Sequence, residues 1–188
     1  VLTSATLSHH KWMRDLISHT DFYRELEISL PKSTEEQRRN WAKTIVEHDL
    51  DLKELSQLLS CEPKIASRFL WLLSDVAIHG PDKLYAALAF LLKLCKKEHP
   101  DYLLSFASYW RMVGVPEENE AEAIDLLFQW LLSADVNVTM KSRSALALFE
   151  LTKKYPDLKE EFRLCLEDQK RKYSKDFEKR VGKILDNL

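Results

Sequence analysis
Few residues in this chain stand in a pattern that chemistry would need. His9 and His10 are adjacent, with His19 a few helical turns further on. Two imidazoles sharing a metal on one helix face lie three or four residues apart, and adjacent ones point away from each other. No metal site is read here. The stretch "PEENEAEAID" (116–125) gathers carboxylates that could do acid–base work or hold a cation. It also precedes a helix, where negative charge complements the dipole, and that is the plainer use. Cys61, Cys95 and Cys165 are far apart, lack any C-x-x-C spacing and have apolar neighbours, so they read as buried free thiols. No H-E-x-x-H, nucleophile elbow, G-x-G or P-loop pattern occurs. The expectation is a non-enzymatic chain with no cofactor and no catalytic residues.

Arginines and aromatics make a more suggestive set. Arg68, Trp71 and Asp75 are spaced i, i+3, i+7, which places them on one helix face. Arg143, Leu146 and Glu150 repeat the arrangement, and Arg180 extends the arginine series. Such a series could face a partner as a ladder. Alternatively, each arginine could pair with a turn acid such as Asp135 and hold the fold together. Trp12, Trp41, Trp71, Trp110 and Trp130 divide the same way, between stacking platforms for a ligand and core packing.

The elements that would position these residues are helices. Apolar residues recur at helical spacing, as in Phe177, Val181, Ile184 and Leu188, and no period-two strand pattern is found. Only three glycines occur, too few for the turns of a β-sandwich or barrel. Proline, glycine and Asp/Asn signals divide the chain into about ten helices: 4–19, 34–48, 51–60, 63–79, 82–97, 101–113, 119–133, 138–154, 157–172 and 175–187. The phrases "HGPD" (79–82), "KKEHPD" (96–101) and "KKYPD" (153–157) read as joints. Basic residues close one helix, proline occupies the first position of the next, and aspartate sits in its first turn.

The chain also matches itself. "SRFLWLLSDVAIHGPD" (67–82) slides by seventy-five residues onto "SRSALALFELTKKYPD" (142–157), which is two units of about 37 residues, the size of a helical hairpin. One further step carries Arg143 to Arg180 in "KRVGKIL".

At this point "DVNVTMKSRSALALFEL" (135–151) resembles the second half of a HEAT repeat, and "EPKIASRFLWLLSDV" (62–76) is a looser version. The region from about 120 to 188 is similar to a group of small bacterial HEAT-like proteins, on "IDLLFQWLL", the arginine-bearing helix and the basic amphipathic C-terminal helix. The resemblance fades over 1–60, and the repeat at 82–113 lacks the aligned arginine. It implies an all-α, HEAT/ARM-like α-solenoid of about five stacked hairpins. The expectation is a single helical-repeat domain over 1–188, with divergent hairpins or a cap at 1–60 and clearer repeats at 61–188.

The function this implies is protein or peptide binding on a concave face, with Arg68, Trp71, Asp75, Arg143, Glu150 and Arg180 as candidate contacts. The rival, also carried by resemblance, is a HEAT-like DNA glycosylase for alkylated bases, with its tryptophans and basic C-terminal stretch in a groove. A formal net charge of −2 speaks against nucleic acid, since phosphate neutralisation supplies most non-specific affinity. The longest apolar run, Leu84–Leu92, is far short of the ~20 residues that span a bilayer. No charged-then-apolar leader is read at the start, and a cytoplasmic location is expected.

Overall fold
The computed structural model describes residues 18–188, and every regular element among them is helical. Ten α-helices occur there: α1 (His19–Ser29), α2 (Glu35–Glu47), the single turn α3 (Leu52–Leu55), α4 (Pro63–His79), α5 (Pro81–Glu98), α6 (Phe106–Val113), α7 (Glu120–Leu132), α8 (Val138–Lys154), α9 (Lys159–Gln169) and α10 (Lys175–Asp186). Short 3₁₀ segments precede or follow several of them. The expected all-α class is what is found. None of the described helices is long and apolar enough to cross a membrane.

Several sequence-based boundaries need correction; the expected helix 101–113, for one, is 3₁₀ over Pro100–Ser105 and α-helical only over Phe106–Val113. The expected spans pass over 20–33, where the structure has α1. Its buried stripe is thin, Phe22 and Leu26 followed by Leu30, and charged residues crowd the positions between. The expected helix 51–60 is one α-turn continued by 3₁₀ geometry over Ser56–Ser60. The expected helix 4–19 lies outside the described residues, its last two positions excepted.

The proline phrases are indeed joints, and they share one geometry. Gly80, His99 and Tyr155 each end a helix, with φ/ψ of −146/70, −143/70 and −122/81. Each still donates its N–H to the carbonyl four residues back, at 2.8, 2.8 and 2.9 Å. The following proline disfavours the α-region for the residue before it, and at these three joints the chain turns there. Proline then opens the next helical segment at no hydrogen-bonding cost.

The chain forms two compact units, the first ending at Pro100 and the second running Asp101–Leu188. In the first, α4 packs on α2 and α5, and α5 packs on α3. In the second, α8 packs on α6, α7 and α10, while α7 packs on α9. In both units a helix touches its second neighbour along the chain as well as its first.

Several polar side-chain links within each unit share a similar step, although others, such as Trp41 to Glu25 across 16 residues, are shorter. In the first unit, Lys83 Nζ reaches Asp49 at 2.6 Å across 34 residues, and Tyr23 Oη lies 3.7 Å from Cys61 Sγ across 38. In the second, Arg143 donates to Ser108 Oγ at 2.7 Å across 35 residues, and Lys154 to Glu120 at 2.6 Å across 34.

Helices α4 and α8 are each 17 residues long and start seventy-five residues apart. Seven of the eight buried positions in each fall in register, Ile65 and Ser142 being the exceptions. Ala66, Phe69, Leu70, Leu72, Leu73, Val76 and Ala77 are buried in one; Lys141, Ser144, Ala145, Ala147, Leu148, Leu151 and Thr152 are buried in the other. The volumes differ, because α8 presents small side chains where α4 presents large ones. Trp110 of α6 and Trp130 of α7, both on helices that pack against α8, supply bulk instead. Their rings stack with centroids 6.0 Å apart and 19° between planes.

Candidate interaction surface
The face of α4 that looks away from its buried stripe carries Arg68, Trp71, Asp75 and Ile78. Helix α2, packed alongside, adds Arg38. Its start is fixed by a capping box, in which Thr34 accepts from the Gln37 N–H and Gln37 accepts from the Thr34 N–H. This fixes the first turns, and Arg38 folds back to donate to the Ser33 carbonyl at 2.9 Å and to Ser33 Oγ at 3.1 Å. Its side chain is buried, and its Nε has no acceptor.

Two guanidiniums approach the ring of Trp71. Arg68 sits 4.0 Å from the ring centroid and Arg38 5.3 Å from it. Both distances fall within cation–π range, and the Arg68 contact comes directly from the i, i+3 spacing. Trp71 is nonetheless 50% exposed, and Ile78, two turns along the same face, is 65% exposed. Arg68 has no carboxylate partner among the described residues, whereas Arg39 pairs with Glu35 at 2.5 Å. Asp75 is half-buried: burial pushes its carboxyl pKa upward, against the pull of Arg38 and Arg39.

The other candidate residues have separate occupations. Arg143 is spent on Ser108 Oγ and lies 3.5 Å from Met140 Sδ, tying α8 to α6; its partner is a hydroxyl and not Asp135. Glu150 is exposed and paired with Lys153 at 2.7 and 2.9 Å. Arg180 is exposed beside a cleft of about 190 Å³ that Thr139, Ser142, Ser174 and Asp176 also line. The three arginines aligned by the sequence thus do three different things. Among the tryptophans, Trp41, Trp110 and Trp130 are buried, and Trp41 Nε1 donates to Glu25 at 2.8 Å; Trp71 stands apart from them. Trp12, His9 and His10 lie outside the described residues.

Two polar features were not foreseen. Lys141 is wholly buried, donating to the carbonyls of Leu131 and Ser133 at the end of α7, with Tyr173 5.0 Å beyond. The only sequence signal is a lysine on the inward stripe of its helix. Glu120, inside the expected acidic segment, is buried and accepts from Lys154 and Tyr155. Burial raises its pKa, but those two hydrogen bonds and the ammonium charge outweigh it and hold the carboxyl below its ordinary value. The rest of that segment follows the helix-start reading: Glu117 and Glu118 open a 3₁₀ turn, and Glu120 and Glu122 fall in the first turn of α7.

A cleft of about 490 Å³ lies between α3 and α5, lined by Asp49, Asp51, Lys53, Asp82 and Lys83. Its opposite charges meet within it, since Lys83 holds Asp49 and depresses that carboxyl. No group of three or more metal-ligating side chains converges among the described residues.

No family model matches the chain, and comparison with curated proteins and with solved structures likewise gives no match.

Proposed function
We propose that the chain is a non-enzymatic interaction module, built as short α-solenoid stacks, which takes a protein or peptide partner on the face around Trp71. The solenoid reading is supported by packing between second neighbours, the recurrent step of 34 to 38 residues in several of the polar links, and the matched burial of α4 and α8. In such a stack α2 and α4 would form one row, whose outer side is the concave binding face.

One observation carries the functional reading. Trp71 is left half in water while two guanidiniums lie within cation–π range of its ring. Tryptophan and arginine are enriched among the residues that dominate the energetics of protein interfaces. An aromatic ring ordered before binding avoids part of the entropic cost of association. Arg143, Glu150 and Arg180 play no part in this version of the site.

Selection from a random peptide library displayed on phage tests it. Wild-type protein is expected to enrich peptides that Trp71→Ala fails to retain. Enrichment that ignores this substitution, or none at all, removes the proposal.

A further inference from the structure
Resting on that reading, we infer that the face takes an acidic peptide, with a carboxylate seated on Arg68 and an apolar side chain lying across Trp71 and Ile78. The charge count favours an anion. Arg38, Arg39, His79 and Glu35 act on the charge of Asp75, and Arg68 stands over Trp71; of the three guanidiniums Arg38 is buried on Ser33, Arg39 holds Glu35, and Arg68 alone has no carboxylate or carbonyl partner among the described residues. Arg68 Cζ lies 4.0 Å from the Trp71 centroid and the residue makes no ion pair among the described residues; a guanidinium over a ring can still donate two N–H groups in one plane to a carboxylate.

Geometry sets the footprint. Arg68 and Ile78 are ten residues apart on α4, about 15 Å along a helix axis. An extended peptide covers that length in roughly five residues at about 3.3 Å each. Carboxylate and apolar side chain would therefore stand a few residues apart. Single-stranded nucleic acid could also use a ring and guanidiniums, but a chain with a net charge of −2 offers little for a run of phosphates.

The test uses the whole chain and fluorescence anisotropy of labelled peptides of roughly a dozen residues, long enough to cover the face. One repeats Asp-Leu-Ser, and its controls replace Asp by Asn or by Lys. The Asp peptide is expected to bind, to weaken as salt screens the charge, and to lose about tenfold or more in affinity with either Arg68→Gln or Trp71→Ala. Circular dichroism melts of both variants establish that they are folded. The inference is overturned if the Asp peptide does not bind, if the Asn or Lys peptide binds as tightly, or if Arg68→Gln has no effect. Trp71-dependent binding of oligothymidylate in place of the Asp peptide also overturns it. The library separates the two claims. Trp71-dependent peptides lacking Asp and Glu defeat the acidic partner alone, and an absence of Trp71-dependent peptides defeats both.

Discussion

Lys141 Nζ reaches the carbonyl oxygen of Leu131 at 2.8 Å from a side chain with no exposure to solvent. The ammonium also holds the Ser133 carbonyl, so a positive charge caps the negative end of α7 from inside the second unit. Removing one partner of a buried polar group leaves the others unsatisfied, at about 1–3 kcal/mol each. Lys141→Met is expected to lower the urea midpoint of the second unit, read by circular dichroism. An unchanged midpoint would show that the two carbonyls find other donors.

The carboxyl of Glu120 is held below its ordinary value, and a depressed acid stabilises the folded state at high pH. That stabilisation is present in full above the unfolded value of about 4.3 and is lost as pH falls from there through the lower folded value. The wild type should therefore become less resistant to urea on acidification across this window, and Glu120→Gln should show a shallower decline. Parallel pH profiles for the two proteins would refute the assignment.

Gly80 tests the fit between α2 and the α4–α5 corner. Its backbone is ordinary for any residue, since His99 and Tyr155 adopt nearly the same angles. A Cβ there, however, would meet Val46 Cγ2 at 2.7 Å and Cγ1 at 3.2 Å. Gly80→Ala should destabilise by about 1–3 kcal/mol through overpacking. Val46→Ala in the same chain should recover part of the loss, with a coupling of about 1 kcal/mol in a double-mutant cycle. Strict additivity would place the cause elsewhere.

Trp71 and Arg68 should matter little to folding. An exposed cation–π contact contributes about 0.5–1 kcal/mol, and half of the ring is in water already. Thermal midpoints of Arg68→Gln and Trp71→Ala are expected within a few degrees of the parent. A large drop would mean that the face serves the fold.

The helices were legible wherever periodicity and proline punctuation agreed. The α4/α8 correspondence could be read from a seventy-five-residue offset because the same positions point inward in both. Helix α1 was missed because Phe22, Leu26 and Leu30 make a stripe one residue wide. Half of the candidate site was legible, since Arg68 and Trp71 meet through local spacing. Arg38 was not, as it arrives from another helix some thirty residues upstream. Lys141 and Glu120 were illegible for a related reason: a buried charge and a solvated one are the same letter, and only the carbonyls or donors around it decide which it is. Arg143 shows the limit of self-matching, because it keeps its place in the pattern while its partner is the Ser108 hydroxyl.

The three proline corners carry glycine, histidine and tyrosine at the same backbone geometry. A bend that the following ring favours, in a backbone region open to any residue, places little demand on the side chain before it. Evolution can then vary that position without renegotiating the path of the main chain, limited only by whatever stands opposite. At 155 the liberty has been used, and a phenol clasps Glu120. At 80 the wall formed by Val46 forecloses it.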